Sequence, residues 1–117
     1  EAGEDSMNSL LARIARSGQG SFLAVLKTFG DIASPGMLSF PSPGITLALD
    51  FANHGEGTRA LLDDLDIIVR AASGRFYPAK DARMSPDDFR RSSPRLEEVR
   101  PHVDPAFSSD FWKRMNP

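Results

Sequence analysis

Ile45-Thr46-Leu47-Ala48-Leu49-Asp50-Phe51 alternates without a break: Ile45, Leu47, Leu49 and Phe51 point one way, Thr46, Ala48 and Asp50 the other. A period of two is the signature of a β-strand, and the apolar set calls for a helix packed on it. The second set is small and polar, which suits either the lining of a cavity or a solvated outer face. Upstream, Met37-Leu38-Ser39-Phe40 reads as a further extended piece, turned by Pro41-Ser42-Pro43-Gly44. Ser21 to Lys27 (SFLAVLK) is apolar and too short for a helix. It reads as a buried strand, with Phe22, Ala24 and Leu26 on one face and Leu23 and Val25 on the other.

Helices flank these strands. Ser6 to Ser17 carries the stripe Met7, Leu10, Leu11 and Ile14, with Ser6 as N-cap, Arg13 and Arg16 toward its end, and Gly18 just past it. After the turn Asn53-His54-Gly55-Glu56-Gly57, a longer helix is expected over Thr58 to Ala72, capped by Thr58 or Asn53 and followed by Gly74. Its stripe is Leu61, Leu65, Ile68 and Ala72, widened by Leu62 and Val69. Arg75-Phe76-Tyr77 is a short extended stretch stopped by Pro78. Six of the nine prolines fall from Pro78 onward, so only short helical turns are expected there. These lie at Ser85–Arg91 (Ser85 capping, Pro86 at N1), Pro94–Val99 and Ser108–Met115. Such a tail has little core of its own and is expected to lie on a neighbouring surface, with Phe111 and Trp112 packed down.

The order helix, strand, strand, strand, helix, short strand, helical tail gives an α+β fold: an antiparallel sheet with helices on one face, a partial ferredoxin-like arrangement, plus an irregular proline-rich tail. The expected division is a body to Tyr77 with its continuation to Met84, and a tail over 85–117. A ferredoxin-like sheet would open with a strand before the first helix, and that strand is missing here. One sheet edge is therefore bare or covered by a partner, and a homodimer through that edge is one expectation.

Composition narrows the function. The chain of 117 residues is 40% hydrophobic and 26% charged, an ordinary globular balance. Fourteen Lys and Arg against 16 Asp and Glu leave a net charge of -2, which argues against nucleic acid as partner. With no cysteine, disulfides, thiolate metal sites and a Cys nucleophile are excluded, and two histidines make a His-rich metal site unexpected. No apolar run is long enough to span a bilayer, and the acidic start lacks the order of a secretion signal, so a cytoplasmic location is expected.

The residues by themselves name no reaction: G-x-G-x-x-G, Walker and G-x-S-x-G patterns are absent. Lys80, in Phe76-Tyr77-Pro78-Ala79-Lys80-Asp81, is a cation in a proline-stiffened loop after a strand end, where a charge can be aimed at a ligand. The plain alternative is a solvated Lys80 paired with Asp81. His54 has no identifiable nucleophile partner. Asp63, Asp64 and Asp66 scatter over more than one helix face and read as solvated surface. Arg90, Arg91, Arg95 and Arg100 are offset by Asp87, Asp88, Glu97 and Glu98. Phe107, Phe111 and Trp112 near the end offer a second use, docking on a larger partner or a membrane interface.

Four stretches taken in order resemble the C-terminal part of a family of FAD-linked oxidases: Ser21–Lys27, Leu38–Gly44 (LSFPSPG), Leu47–Phe51 (LALDF) and Gly74–Arg83 (GRFYPAKDAR). The family is the vanillyl-alcohol-oxidase type, in the group of the decaprenylphosphoryl-β-D-ribose 2′-oxidases and the aldonolactone and alditol oxidases. The similarity runs from about Met7 to Met115, and the glycine-to-arginine motif is its most specific part. The resemblance implies a substrate domain whose sheet lies over a flavin, with FAD held mainly by a domain that precedes this region and is not part of this sequence. It implies that Lys80 reaches flavin and substrate, that Tyr77 of the same motif contacts both, and that Thr46 and Ala48 face a sugar or lipid-linked sugar. Mycobacterial relatives carry Asn and Cys at the positions of Thr46 and Ala48. A lipid-linked substrate further implies peripheral membrane contact, and the tail would pack on the FAD domain. The competing reading is a stand-alone α+β ligand-binding or oligomerisation module without redox activity.

Overall fold

The computed structural model describes residues 2–80 and 83–116, with the side chains of Ala2 and Lys80 left aside. The chain divides into two compact units, Glu1–Ile32 with Ser42–Gly74, and Ala33–Pro41 with Arg75–Pro117.

In the first unit the order is helix α1 (Ala2–Ser17), strand β1 (Ser21–Phe29), strand β2 (Gly44–Phe51) and helix α2 (Glu56–Ala71). Helix α1 begins four residues ahead of Ser6, so Ser6 is no cap; Glu4 and Asp5 suit the positive end of the helix dipole instead. Gly18, at φ 68°, ends it as expected. The two helices pack on each other. Leu61 and Leu65 are buried, worth about 1.5–3 kcal/mol each, and Arg13 donates to Asp64 at 2.6 Å. Asp64 is thus held by an interhelical ion pair rather than simply solvated. A β-carbon at Gly3 would lie 3.9 Å from Ile45 Cδ1, which puts the start of α1 over the apolar face of β2.

Strands β1 and β2 pair antiparallel, Ala24 opposite Leu49, Val25 opposite Ala48, Leu26 opposite Leu47 and Lys27 opposite Thr46. The register shifts by one residue between Ser21 and Leu23, so Phe22 is an extra residue in β1. Ser21 fills the irregularity: its Oγ accepts from the Asp50 N–H at 3.0 Å and lies within hydrogen-bond reach of the Asp50 and Leu23 carbonyls. Contrary to the sequence reading, β1 is not a buried strand. Among the described residues β2 is its one strand neighbour, and Phe22 and Leu26 are 77% and 60% exposed.

Two other expected strands are not strands. Met37–Phe40 lies in a turn region, with the Ser39 N–H on the Gly36 carbonyl at 3.2 Å, because prolines on both sides deny it a ladder. At Arg75–Tyr77 the Phe76 N–H is taken by Ser92 Oγ at 3.0 Å instead of by a strand. The cap of α2 also differs from expectation. The N-cap is Gly55, at φ 77°, and Asn53 Oδ1 accepts from its N–H. The buried Thr58 hydroxyl accepts from the His54 N–H at 3.1 Å and lies 2.8 Å from Gln19 Oε1 and 3.2 Å from the Ala52 carbonyl. It ties the turn before β1 to the turn after β2.

The second unit holds helices α3 (Pro86–Ser92), α4 (Leu96–Val99) and α5 (Asp110–Met115), with single 3₁₀ turns at Pro78–Lys80, Arg100–His102 and Pro105–Phe107. Ser85 caps α3 as expected, accepting from the Asp88 N–H, and Ser109 caps α5. The tail, expected to have little core of its own, holds a small one. Each of the three helices contributes one buried apolar residue (Phe89, Leu96 and Met115), with Met84, Phe111 and Trp112 packed around them. Phe111 and Trp112 meet Phe89 edge-on, at centroid distances of 5.4 and 6.3 Å. On the exposed side Arg95 donates to Glu98, a bond that holds the Glu98 carboxyl below its ordinary value.

Helix α2 ends in a Schellman motif: the Gly74 N–H reaches the Val69 carbonyl at 2.8 Å and the Ser73 N–H the Arg70 carbonyl at 3.0 Å. The left-handed residue is Ser73, at φ 55°, not the glycine. Gly74 is needed for closeness, since a β-carbon there would lie 2.8 Å from Val69 Cγ1 and 3.0 Å from the Val69 oxygen. Ser73→Gly is therefore expected to stabilise the chain by about 0.5–1 kcal/mol, and Gly74→Ala to destabilise it by about 1–3 kcal/mol, in urea melts followed by circular dichroism.

Candidate functional site

The strand register brings together the residues expected to face a substrate. Thr46 and Ala48 are half-buried neighbours on one face of β2, with Asp50 beyond them. On β1 the same face carries Lys27 opposite Thr46, Val25 opposite Ala48 and Leu23 opposite Asp50. One face of the sheet thus presents a hydroxyl, a small apolar floor, a carboxylate and an exposed ammonium. This set gathers hydrogen-bonding groups and a cation around the small side chain of Ala48. Lys27 was missed by the sequence reading. Its alternation with Val25 was visible, but only the register, fixed by the extra residue at Phe22, sets it beside Thr46 rather than beside Ile45 or Leu47.

Tyr77 and Lys80 belong to the second unit. Tyr77 is 54% exposed, and its ring lies 5.2 Å from that of Phe40, tilted by 57°. The segment leading into it is anchored to the buried Ser92 through the Phe76 N–H. The YPAK stretch is therefore held on one side by α3 and on another by the residues before Pro41, two supports the sequence did not reveal. Lys80 closes the 3₁₀ turn Pro78–Lys80. Its side chain, and Asp81, its alternative partner, lie outside the described residues. Among the described residues, no group of three His, Asp or Glu is placed to hold a metal ion. His54 is exposed in its turn.

No protein-family pattern matches the chain. Individual relatives do. At 40% identity over 117 residues, 96% of its length, the chain is similar to an uncharacterized protein in the mprA 5′ region of Streptomyces coelicolor, and it spans 32% of that protein. A second relative has a named activity: decaprenylphosphoryl-β-D-ribose oxidase of Mycolicibacterium smegmatis, 37% identical over 116 residues, 95% of this chain. The resemblance read from the sequence holds. The chain spans only 25% of that enzyme, and between a quarter and a third of the length of these two relatives. Both are bacterial. Within the first unit Thr46 supplies a hydroxyl and Lys27 a cation on the same face, and the second unit by itself presents the Tyr77 phenol.

The contact of Phe40 with Tyr77 yields a direct check, because Tyr77 is the sole tyrosine. Phe40→Ala is expected to weaken the seating of Tyr77 by about 0.5–1.5 kcal/mol. In NMR spectra the Tyr77 ring signals should move toward random-coil positions while those of Trp112 stay in place.

Proposed function

We propose that this chain is the C-terminal, substrate-domain portion of an FAD-dependent oxidoreductase that oxidises a hydroxyl of a sugar or sugar alcohol. The observation that carries the reading is the similarity along 95% of the chain to an enzyme named as a decaprenylphosphoryl-β-D-ribose oxidase. In this reading residues 1–77, continuing to 84, form part of the substrate domain, and 85–117 form a tail that packs on an FAD-binding domain supplied by polypeptide outside this sequence. The chain alone neither retains FAD nor turns over. No helix among the described residues is long and apolar enough to cross a membrane. The proposed location is the cytoplasm, with peripheral membrane contact if the sugar is lipid-linked.

A bound flavin would supply the two-electron acceptor for the carbinol hydride, with the hydroxyl proton passing to solvent. The residues of this chain position and balance charge. Thr46 and Lys27 hydrogen-bond the substrate's hydroxyl groups, and Ala48 leaves space for its ring. Tyr77 borders both flavin and substrate. Lys80 would place a positive charge beside a bound flavin, where it favours the reduced, negatively charged form over the oxidised ground state.

The test is expression of the reading frame with its upstream sequence. The product should be yellow and bleach anaerobically with a suitable polyol or glycosyl substrate. Lys80→Met should slow bleaching about 100-fold, equivalent to about 3 kcal/mol, with little change in the flavin spectrum. A colourless product, or a Lys80→Met enzyme that bleaches at the parent rate, contradicts the reading.

A further inference from the structure

Helix α1 crosses the sheet from one end to the other. It starts over the Ile45 end of β2, where a β-carbon at Gly3 would lie 3.9 Å from Ile45 Cδ1. It ends at Ser17, and β1 then begins at Ser21, opposite Phe51. A strand feeding α1 from ahead of Glu1 would therefore finish at the Ile45 end, running in the same direction as β1. Strand, helix and parallel strand form a crossover, and such crossovers are right-handed in nearly all proteins. Handedness then decides on which side of β1 the first strand lies.

The backbone of Asp50 supplies the chirality. Its N–H donates to Ser21 Oγ at 3.0 Å and its carbonyl lies 3.0 Å from the same atom, so both groups point at β1. Leu47 and Leu49 alternate with Asp50, so their side chains face the helices and their N–H and C=O groups face the other edge of β2. For L-residues this sets β1 to the left of β2, seen from the helix side with β2 pointing up. Turned so that β1 points up, β2 lies to its left. A right-handed crossover with its helix in front moves rightward, so the strand ahead of α1 lies further left, beyond β2. On the outer edge of β1 the same connection would be left-handed.

Burial agrees. A crossover helix lies between the strands it joins, and the helix layer here covers β2 rather than β1. Leu47 and Leu49 are half-buried, whereas Leu26 and Ala24 opposite them are exposed, Leu26 by 60%. Among the described residues no strand occupies the second edge of β2. The chain spans 32% and 25% of its two relatives, so both contain ample polypeptide for one.

We propose that this edge receives a strand from the polypeptide just ahead of Glu1, antiparallel to β2 and bonded to the N–H and C=O groups of Leu47 and Leu49. Strand β2 then becomes an inner strand, and Thr46 and Ala48 are flanked by Lys27 on one side and by the new strand on the other. The inference shares with the proposed function only the premise that polypeptide precedes this chain.

Hydrogen exchange on the product of the whole reading frame tests it. The amides of Leu47 and Leu49 should exchange as slowly as that of Ala48, which faces β1, and about 100-fold or more slower than exposed amides. In the same product Thr46→benzoylphenylalanine should photo-cross-link, apart from β1 itself, to the stretch within about 15 residues ahead of Glu1, room for one strand and a short loop. Leu47 and Leu49 amides that exchange freely while Ala48 is protected overturn the proposal. So do cross-links that run instead to a second copy, to residues beyond Pro117 or to a more distant part of the chain. Neither readout involves flavin: a colourless product with these protections and cross-links would defeat the redox reading and leave this inference standing.

Discussion

The pairing of β1 with β2 in a single register is the constraint on which the rest of the first unit depends. Side chains alternate along a strand, so sliding one strand by a residue would exchange the faces of Thr46 and Leu47 relative to β1. Three features hold the register. The extra residue at Phe22 absorbs one position, Ser21 locks that irregularity to Asp50, and Thr58 ties Gln19 to Ala52 and His54, joining the turns at the same end of both strands. Helix α2 then follows directly, and its Leu61 and Leu65 give α1 a surface to pack on.

The second unit rests on different physics. Its helices have at most seven residues, too short to be stable alone, and each is started by a local device. Ser85 with Pro86 starts α3, and Ser109 starts α5. Their buried apolar residues, Phe89, Leu96 and Met115, share one small core that also receives Phe111 and Trp112. Around it the segment Arg75–Lys80 is fixed by Ser92 and Phe40, so the loop that bears Tyr77 is a supported element rather than a free one.

Much of this was legible in the residues, for reasons that can be named. The alternation of Ile45–Phe51, the α2 stripe and the Ser85-Pro86 start are local patterns, and local patterns survive into the structure. The misreadings are non-local. Whether SFLAVLK is buried depends on how many strands flank it, which its own composition cannot state. Met37–Phe40 has strand-like residues, but the prolines around it decide the matter. The core of the tail depends on three separated residues meeting, and Lys27 joins the Thr46 face only through a one-residue irregularity. The roles proposed for Lys80 and Tyr77 rest on resemblance to an enzyme family, and the similarity to the mycolicibacterial oxidase supports that resemblance over nearly all of this chain.

The most direct measurement is the register itself. In NMR spectra of the isotopically labelled chain, cross-strand backbone contacts should link Val25 with Ala48 and Lys27 with Thr46, placing the ammonium and the hydroxyl on one face. Contacts that instead pair Lys27 with Ile45 or with Leu47 would take it off the Thr46 face and contradict the proposed substrate-facing set.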